Sequence, residues 1–267
     1  MTTEEIVAKL KPWLTKHLRP AWKPVVEERA DASKSKSKFG GIPYTTAEHD
    51  WPACTECGQQ MQHFLQLDLS DLPAELGDRH GTGLVQLFYC TRGDCQGMGG
   101  WFPFEDTMSR VRVLPIPLAE YVAPAEIESQ EEEFSEFCIV DWEKSDDFPA
   151  TAEQEELGLD FDYDFDSQPN LVKVKCPELQ FESDYIVDPL LAENISSAQF
   201  GDKLSGWPLW VQNVEYPNCP RCQARMILLF QMDSEDNVPF GWGDAGTGHI
   251  TQCPEHKDVV AFGWACG

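Results

Sequence analysis

A stretch that occurs twice limits what this chain can fold into. Residues 38–83 align with residues 203–248 at a constant offset of 165, and 13 of the 46 positions are identical. The matches include Lys38 with Lys203, Gly41 with Gly206, Cys54 with Cys219, Cys57 with Cys222, Met61 with Met226, Gln66 with Gln231 and Asp68 with Asp233. Gly81-Thr82-Gly83 likewise falls on Gly246-Thr247-Gly248. Chance similarity does not hold so constant an offset, and solenoid repeats are shorter, at roughly 20–50 residues. The expectation is an internal duplication, two pseudo-equivalent halves of one protein.

A chain of 267 residues can bury a sizeable core as one large domain or two small ones. It has no apolar run of about 18 residues, so no membrane span is expected. Glu4 and Glu5 stand where a signal peptide would carry basic and then apolar residues, which points to the cytoplasm. In that compartment the ten cysteines are expected as thiols or metal ligands rather than disulfides.

Net charge is −26, which argues against a basic nucleic-acid-binding surface and favours basic partners. The charge is uneven. Residues 1–40 hold nine Lys/Arg against five Asp/Glu, whereas residues 120–193 hold 23 Asp/Glu against three Lys.

Four segments and one short linker follow. Residues 1–32 read as helical: Thr2 and Glu5 have capping-box spacing, and Ile6, Leu10, Trp13, Leu14 and Leu18 lie on or near one face. Pro12 should kink or break that helix. Ser33 to Lys38 alternates Ser and Lys and reads as a solvated linker. Residues 38–116 form the first repeat, with strands expected at Phe64–Leu69, Leu84–Cys90 and Arg110–Ile116; the first alternates as a half-buried strand does. Residues 117–201 are an acidic connector with Glu131, Glu132 and Glu133 in a row and strands at Phe137–Val140 and Leu171–Val174. Residues 202–267 form the second repeat, with strand candidates at Trp207–Val214, Arg225–Met232, Thr247–Gln252 and Asp258–Trp264. The fold class expected is α+β, mainly β: two β-rich subdomains sharing one core, with an N-terminal helix, in one compact domain.

The cysteines carry the clearest chemistry. Cys54, Cys57, Cys90 and Cys95 are two close thiol pairs, and such pairs can form a tetrahedral thiolate cage for zinc. In the second repeat, Cys219 and Cys222 are joined by Cys253 and His256, with Cys266 as the rival fourth ligand. Both sites would be closed and therefore structural. Buried thiols that simply pack are the alternative; a redox couple would need a β-α-β context that is missing. Gly-rich phosphate loops, G-x-S-x-G elbows and H-E-x-x-H pairs are absent from the sequence. His63 reads as a packed or surface residue, and His80 and His249, beside the Gly-Thr-Gly turns, as solvated.

Asp160-Phe161-Asp162-Tyr163-Asp164-Phe165-Asp166 alternates acids and aromatics. It fails as an EF-hand loop, since Phe165 stands where Gly is needed and Leu171 where Glu is needed. As a strand it would put Asp160, Asp162, Asp164 and Asp166 on one face and anchor Phe161, Tyr163 and Phe165 on the other.

The runs SKFGGIPY, WPACTECGQQMQHFLQLDL, GTGLVQLFYC and GDAGTGHITQCPEHKDVVAFGWAC resemble the YwqG-like family of bacterial proteins over most of the chain outside the connector. The resemblance implies a single, mainly β architecture with internal duplication; that family is named for a domain of unknown function. A more distant similarity is to the C-terminal domain of programmed cell death protein 2 and its ribosome-assembly relatives. There a C-x2-C pair likewise precedes a Gln-bearing strand and a strand ending in Cys. Those relatives chaperone a basic ribosomal protein, and some YwqG-like genes neighbour polymorphic toxins. The functional expectation is a non-catalytic acidic protein-binding module, holding a basic client as a dedicated chaperone or toxin-immunity protein. The alternative is an unrecognised hydrolase or metalloenzyme, which an open metal position or a cleft carboxylate of strongly raised pKa would favour.

Overall fold

Thr2 and Glu5 open the first helix as their spacing predicts. The Thr2 hydroxyl accepts from Glu5 N at 3.3 Å and the Glu5 carboxylate accepts from Thr2 N at 2.9 Å. The resulting helix α1, Thr3–His17, continues through Pro12 instead of ending there. Its buried stripe of Ile6, Leu10 and Trp13 explains why: each such side chain contributes about 1.5–3 kcal/mol on burial, against about 3 kcal/mol for an interior proline. The architecture is that of a computed structural model describing residues 1–28, 36–97, 99–124, 134–167, 169, 171–187 and 198–267. Residues 33–35 of the Ser/Lys linker and Glu131, Glu132 and Glu133 lie outside the described residues.

The partner of α1 is a small antiparallel sheet of β7 (Asp160–Asp164), β8 (Leu171–Cys176) and β9 (Phe181–Glu182). Leu159, Val172, Val174 and Cys176 close a core with the helix stripe.

The main body is a ten-stranded antiparallel sheet. Its centre is β1 (Arg19–Glu28) paired with β6 (Phe137–Asp147). From β6 run β2 (Lys38–Phe39), β3 (Gln62–Asp68), β4 (Leu84–Tyr89) and β5 (Ser109–Leu114). From β1, on the other side, run β10 (Lys203–Ser205), β11 (Ile227–Asp233), β12 (Thr247–Gln252) and β13 (Val260–Ala265). Each flank thus repeats the other's strand order. The sheet curls until its edges meet: Trp264, on β13, donates from its indole to the Tyr89 hydroxyl at 3.0 Å and from its backbone to Gly100 O at 3.2 Å. The enclosed core draws Phe39, Phe64, Leu65, Leu67 and Tyr89 from one flank and Leu229, Phe230, Met232, Trp242 and Phe262 from the other.

Several expectations change here. The N-terminal segment is not helical throughout, because residues 19–28 form a central strand. Pro20 and Pro24 disguise it; a proline removes a ladder donor, and Pro24 sits next to the register shift at Val25/Val26. The strand expected at Phe137–Val140 is present and longer than expected, as β6, the other central strand. Strand β3 is buried on both faces from Gln62 to Leu67, not on one. Trp207–Val214 is no strand: Pro208 interrupts it, and its backbone is held by side chains, Leu209 N donating to Gln231 Oε1 at 2.8 Å.

Register also refines the repeat. Gln62 of β3 corresponds to Ile227 of β11 at offset 165, and both strands bulge at the same place, between His63/Leu65 and Leu228/Phe230. Leu84 and Thr247, however, begin β4 and β12 at offset 163. Gly81-Thr82-Gly83 precedes β4, whereas Thr247 and Gly248 lie within β12, so those identities are not structural equivalents. Trp51 and Tyr216 also differ in role: the Trp51 indole donates to Met61 O at 2.7 Å, while the Tyr216 hydroxyl reaches Glu153 at 3.2 Å.

Candidate metal centres

Each Cys-x2-Cys pair sits on a short hairpin just before the long strand of its flank. In the first, the Ala53–Gln60 bridge closes the hairpin, Gly58 N donates to Cys54 O at 2.9 Å, and Gly58 takes φ +74°. In the second, the Asn218–Arg225 bridge, a 2.8 Å bond from Gln223 N to Cys219 O and φ +60° at Gln223 repeat the turn. A left-handed residue after the second cysteine folds both sulfurs to one side. Met61 and Met226 pack beneath the two clusters.

The other ligands arrive from the ends of β4 and β12. Cys90 and Cys253 follow those strands directly, anchored by backbone bonds from Cys90 N to Met108 O at 2.8 Å and from Cys253 N to Val259 O at 3.0 Å. The first group comprises Cys54, Cys57, Cys90 and Cys95; the second comprises Cys219, Cys222, Cys253 and His256; within each, the ligand atoms lie within 4.8 Å of one another. Sulfur separations are 3.8 Å for Cys54–Cys95, 3.7 Å for Cys57–Cys90 and 3.6 Å for Cys222–Cys253. The His256 Nδ1 lies 3.7 Å from both Cys219 and Cys253. These are not disulfide lengths. A tetrahedron with metal–sulfur bonds of about 2.3 Å has edges of about 3.8 Å, so both donor sets fit a tetrahedral thiophilic ion. The sequence had paired all eight residues as candidates, and the structure brings each four together. Cys266 stands apart beside Gly243, and its carbonyl accepts from Gln212 at 2.6 Å.

The thiols are prepared unequally. Burial opposes ionisation of Cys219, yet backbone N–H groups of Cys222 and Arg221 bring it down to about 6. Burial pushes Cys90 up. A metal ion would replace the remaining protons, since the thiolate is the ligand form.

The acidic run takes another form. Asp160–Asp164 is extended, and Phe161 and Tyr163 pack toward the α1 core. Phe165 does not anchor anything; it is 69% exposed, stacked on Tyr163 at 5.5 Å. Asp160 and Asp162 lie opposite Lys175 and Lys173 on β8, and Asp162 accepts from the Tyr185 hydroxyl at 2.5 Å. Asp164 caps the following turn through Asp166 N and Ser167 N, at 3.1 and 3.2 Å, and Asp166 lies beyond the strand.

The histidines also depart from expectation. His80 is buried between the flanks, 2.9 Å from both Gln252 Oε1 and Ser205 Oγ. His249 is buried within β12, 4.7 Å between ring centres from Trp210. A histidine beside Gly-Thr-Gly reads as solvated only if that turn faces water, and here one turn docks into the opposite flank. The short insertion joining β6 to β7 contains helix α2, Thr151–Glu156, which buries Glu153 against Trp210 and Tyr216. Nothing in the sequence singled out that carboxylate, because its partners are more than 50 residues away.

Among the described residues, no helix is long and apolar enough to cross a membrane. Over 48 residues the chain is 42% identical to the uncharacterized protein YpfL of Salmonella typhimurium (strain LT2). That match spans 18% of this chain and 11% of the relative, so the chain covers about a tenth of that protein's length. The family model for DUF1963, a domain of unknown function, matches residues 37–256, and with most of its length inside that match the chain belongs to this family.

Proposed function

We propose that this protein is a non-catalytic acidic binding module, fastened by two structural zinc ions, that holds a basic client protein. The observation that carries this reading is the closure of both candidate centres. Each offers four protein ligands at tetrahedral spacing, which leaves no position for a substrate or an activated water. Zinc is the ion best served by a set of four thiolates, or of three thiolates and one imidazole, at this spacing. The matched flanks, with equivalent hairpins, bulges and buried lysines, support an origin by duplication. The YwqG-like resemblance supports the same origin and, through neighbouring toxin genes, an immunity role; the more distant similarity to the C-terminal domain of programmed cell death protein 2 supports a chaperone role.

The net charge of −26 favours a basic client, because complementary charge speeds association and rejects acidic competitors. The β7 strand offers one seat. It is an edge of the three-stranded sheet, bears Asp160, Asp162 and Asp164, and leads to Asp166 and the exposed Phe165. An extended basic segment could pair with such an edge.

A hydrolase reading would look to Asp202, which burial and the neighbouring Asp236 push up to about 7. That carboxylate is 1% exposed and clamps a loop by accepting from Asp233 N at 2.7 Å and Asn237 Nδ2 at 2.9 Å, so a substrate has no path to it. The test of the binding reading replaces Asp160, Asp162, Asp164 and Asp166 together by Asn. Parent and variant, as baits in a lysate of the native host, should differ in the basic proteins they retain, and raised salt should release the same proteins. Equal retention by the two baits would remove β7 as the seat.

A further inference from the structure

Beside the second metal hairpin lies a cleft of about 180 Å³ whose walls include Arg19, Glu153, Trp207, Tyr216 and Arg225. In a chain this acidic, two guanidinium groups on one small cleft are unexpected. Arg19 opens β1, and its guanidinium carbon lies over the Trp207 indole, 3.1 Å from the ring centre. The Trp207 ring is itself fixed by a 2.8 Å bond to His17 O. Arg225 stacks on Tyr216 at 4.0 Å. A third cation stands behind them: Arg79 is close enough to Arg19 for the two to repel, and its buried Nε has no hydrogen-bond partner.

Anionic compensation is thin. Glu153 is committed to Trp210 and Tyr216, each at 3.2 Å, and reaches Arg225 only at 3.6 Å, the same distance as the exposed Glu156. Arg19 shares the same partners, being attracted by Glu153 and hydrogen-bonded to the Tyr216 side chain. The matching place in the other flank, beside Trp51, behaves differently. There Arg112 is saturated by its own chain, donating to Gln86 Oε1 at 2.9 Å, Asp50 O at 2.8 Å and His49 O at 3.4 Å. One flank therefore uses its arginine as a brace, while the other turns a partly buried Arg19 and an exposed Arg225 onto a cleft.

We propose that this cleft is a binding site for a small oxyanion, a phosphate or carboxylate group, held by Arg19 and Arg225. A guanidinium carries five N–H donors, so beside the Tyr216 and Glu153 contacts Arg19 and Arg225 can still offer donors to an oxyanion. Counting Arg79, three guanidinium groups face Glu153 and Glu156, an excess that matches a ligand bearing one negative charge. The small volume admits a single oxyanion group and not a bulky ligand.

The test titrates inorganic phosphate, and separately acetate, into the full chain purified without chelator, at constant ionic strength, by calorimetry and thermal shift. Saturable binding is expected, weakened at least tenfold by Arg19→Gln and by Arg225→Gln, and unchanged by Arg112→Gln. Arg225 is exposed, so its variant tests the site even if Arg19→Gln fails to fold. Preference for phosphate assigns a phosphoryl group, and preference for acetate a carboxylate; both support the site. Absence of saturable binding of either anion, or equal binding by the parent and Arg225→Gln, overturns it.

Discussion

Lys203 Nζ lies 2.9 Å from Asp147 Oδ2, and both side chains are sealed from solvent. The carboxylate also accepts from the backbone N–H of Phe148, Gln199 and Trp207 at 3.0, 2.8 and 2.8 Å, and Lys203 gives a second bond to Gln199 O at 2.8 Å. The pair ties β10 to the end of the central strand β6. At the corresponding place in the other flank, Lys38 donates to Glu136 at 2.8 Å and to Ile42 O at 2.7 Å, with Glu136 19% exposed. Removing one member of a buried pair strands the other charge and costs about 3–5 kcal/mol. Lys203→Met should lose about that much in denaturant unfolding. Lys38→Met should lose less, since water reaches Glu136. Equal losses would contradict this ranking.

The two candidate metal centres make a prediction of stoichiometry. The full chain should carry two zinc ions. Cys54→Ser should remove one, Cys219→Ser the other, and Cys266→Ser neither. Each loss should lower thermal stability, because the free energy of binding is also free energy of folding. Elemental analysis of the three variants decides, and an ion lost with Cys266→Ser would reassign the second site.

Acid stability follows from three buried histidines. Burial brings His63 and His249 down to about 3 and His80 to about 4. In the unfolded chain they titrate near 6.5, so below that pH the unfolded state takes up protons that the fold refuses. Each then withdraws about 1.4 kcal/mol of stability per pH unit until its folded pKa is reached. Asp202 acts in the opposite sense: raised to about 7, it is protonated in the fold where the unfolded chain is ionised, so it favours folding as pH falls. Urea unfolding between pH 4.5 and 6.5 should show a shallower acid loss for His249→Phe and a steeper one for Asp202→Asn, each by about one proton. Comparing variants cancels any metal-linked protons common to both.

Much of this was legible because the repeat and the cysteine spacing are local signals. The candidate ligands could be grouped from their order, with Cys266 as the rival of His256, since a hairpin and a strand end bring each four together. Strand β1 was not legible in the same way, and of β6 only Phe137–Val140 was. Prolines at 20 and 24 obscure β1, and acids crowd β6, whose eleven residues include four Asp or Glu. The strand character of β1 and of residues 141–147 comes from pairing along their length, a long-range effect that their local pattern does not carry. His80 and Glu153 were hidden for a related reason: their partners come from the other flank or from far along the chain and become neighbours only after the sheet curls.

The repeated glycine three positions after each buried lysine has a specific task, which gives the last prediction. Gly41 and Gly206 take φ of +62° and +77°, a conformation that side chains rarely adopt. A Cβ on Gly41 would collide with the Glu136 carboxylate, and one on Gly206 with the Asp147 carboxylate. Each glycine therefore makes room for the acid that its flank's lysine pairs with, which explains why lysine and glycine recur together at the constant offset. Gly206→Ala should cost about 3 kcal/mol or more, combining about 1–3 kcal/mol of backbone strain with displacement of a carboxylate held by four donors. Gly41→Ala should cost less, because Glu136 is longer and can swing toward water. Combining Gly206→Ala with Lys203→Met should cost less than the sum of the two, since both act on Asp147. Additive losses in that double-variant cycle would show that the glycine serves only the turn.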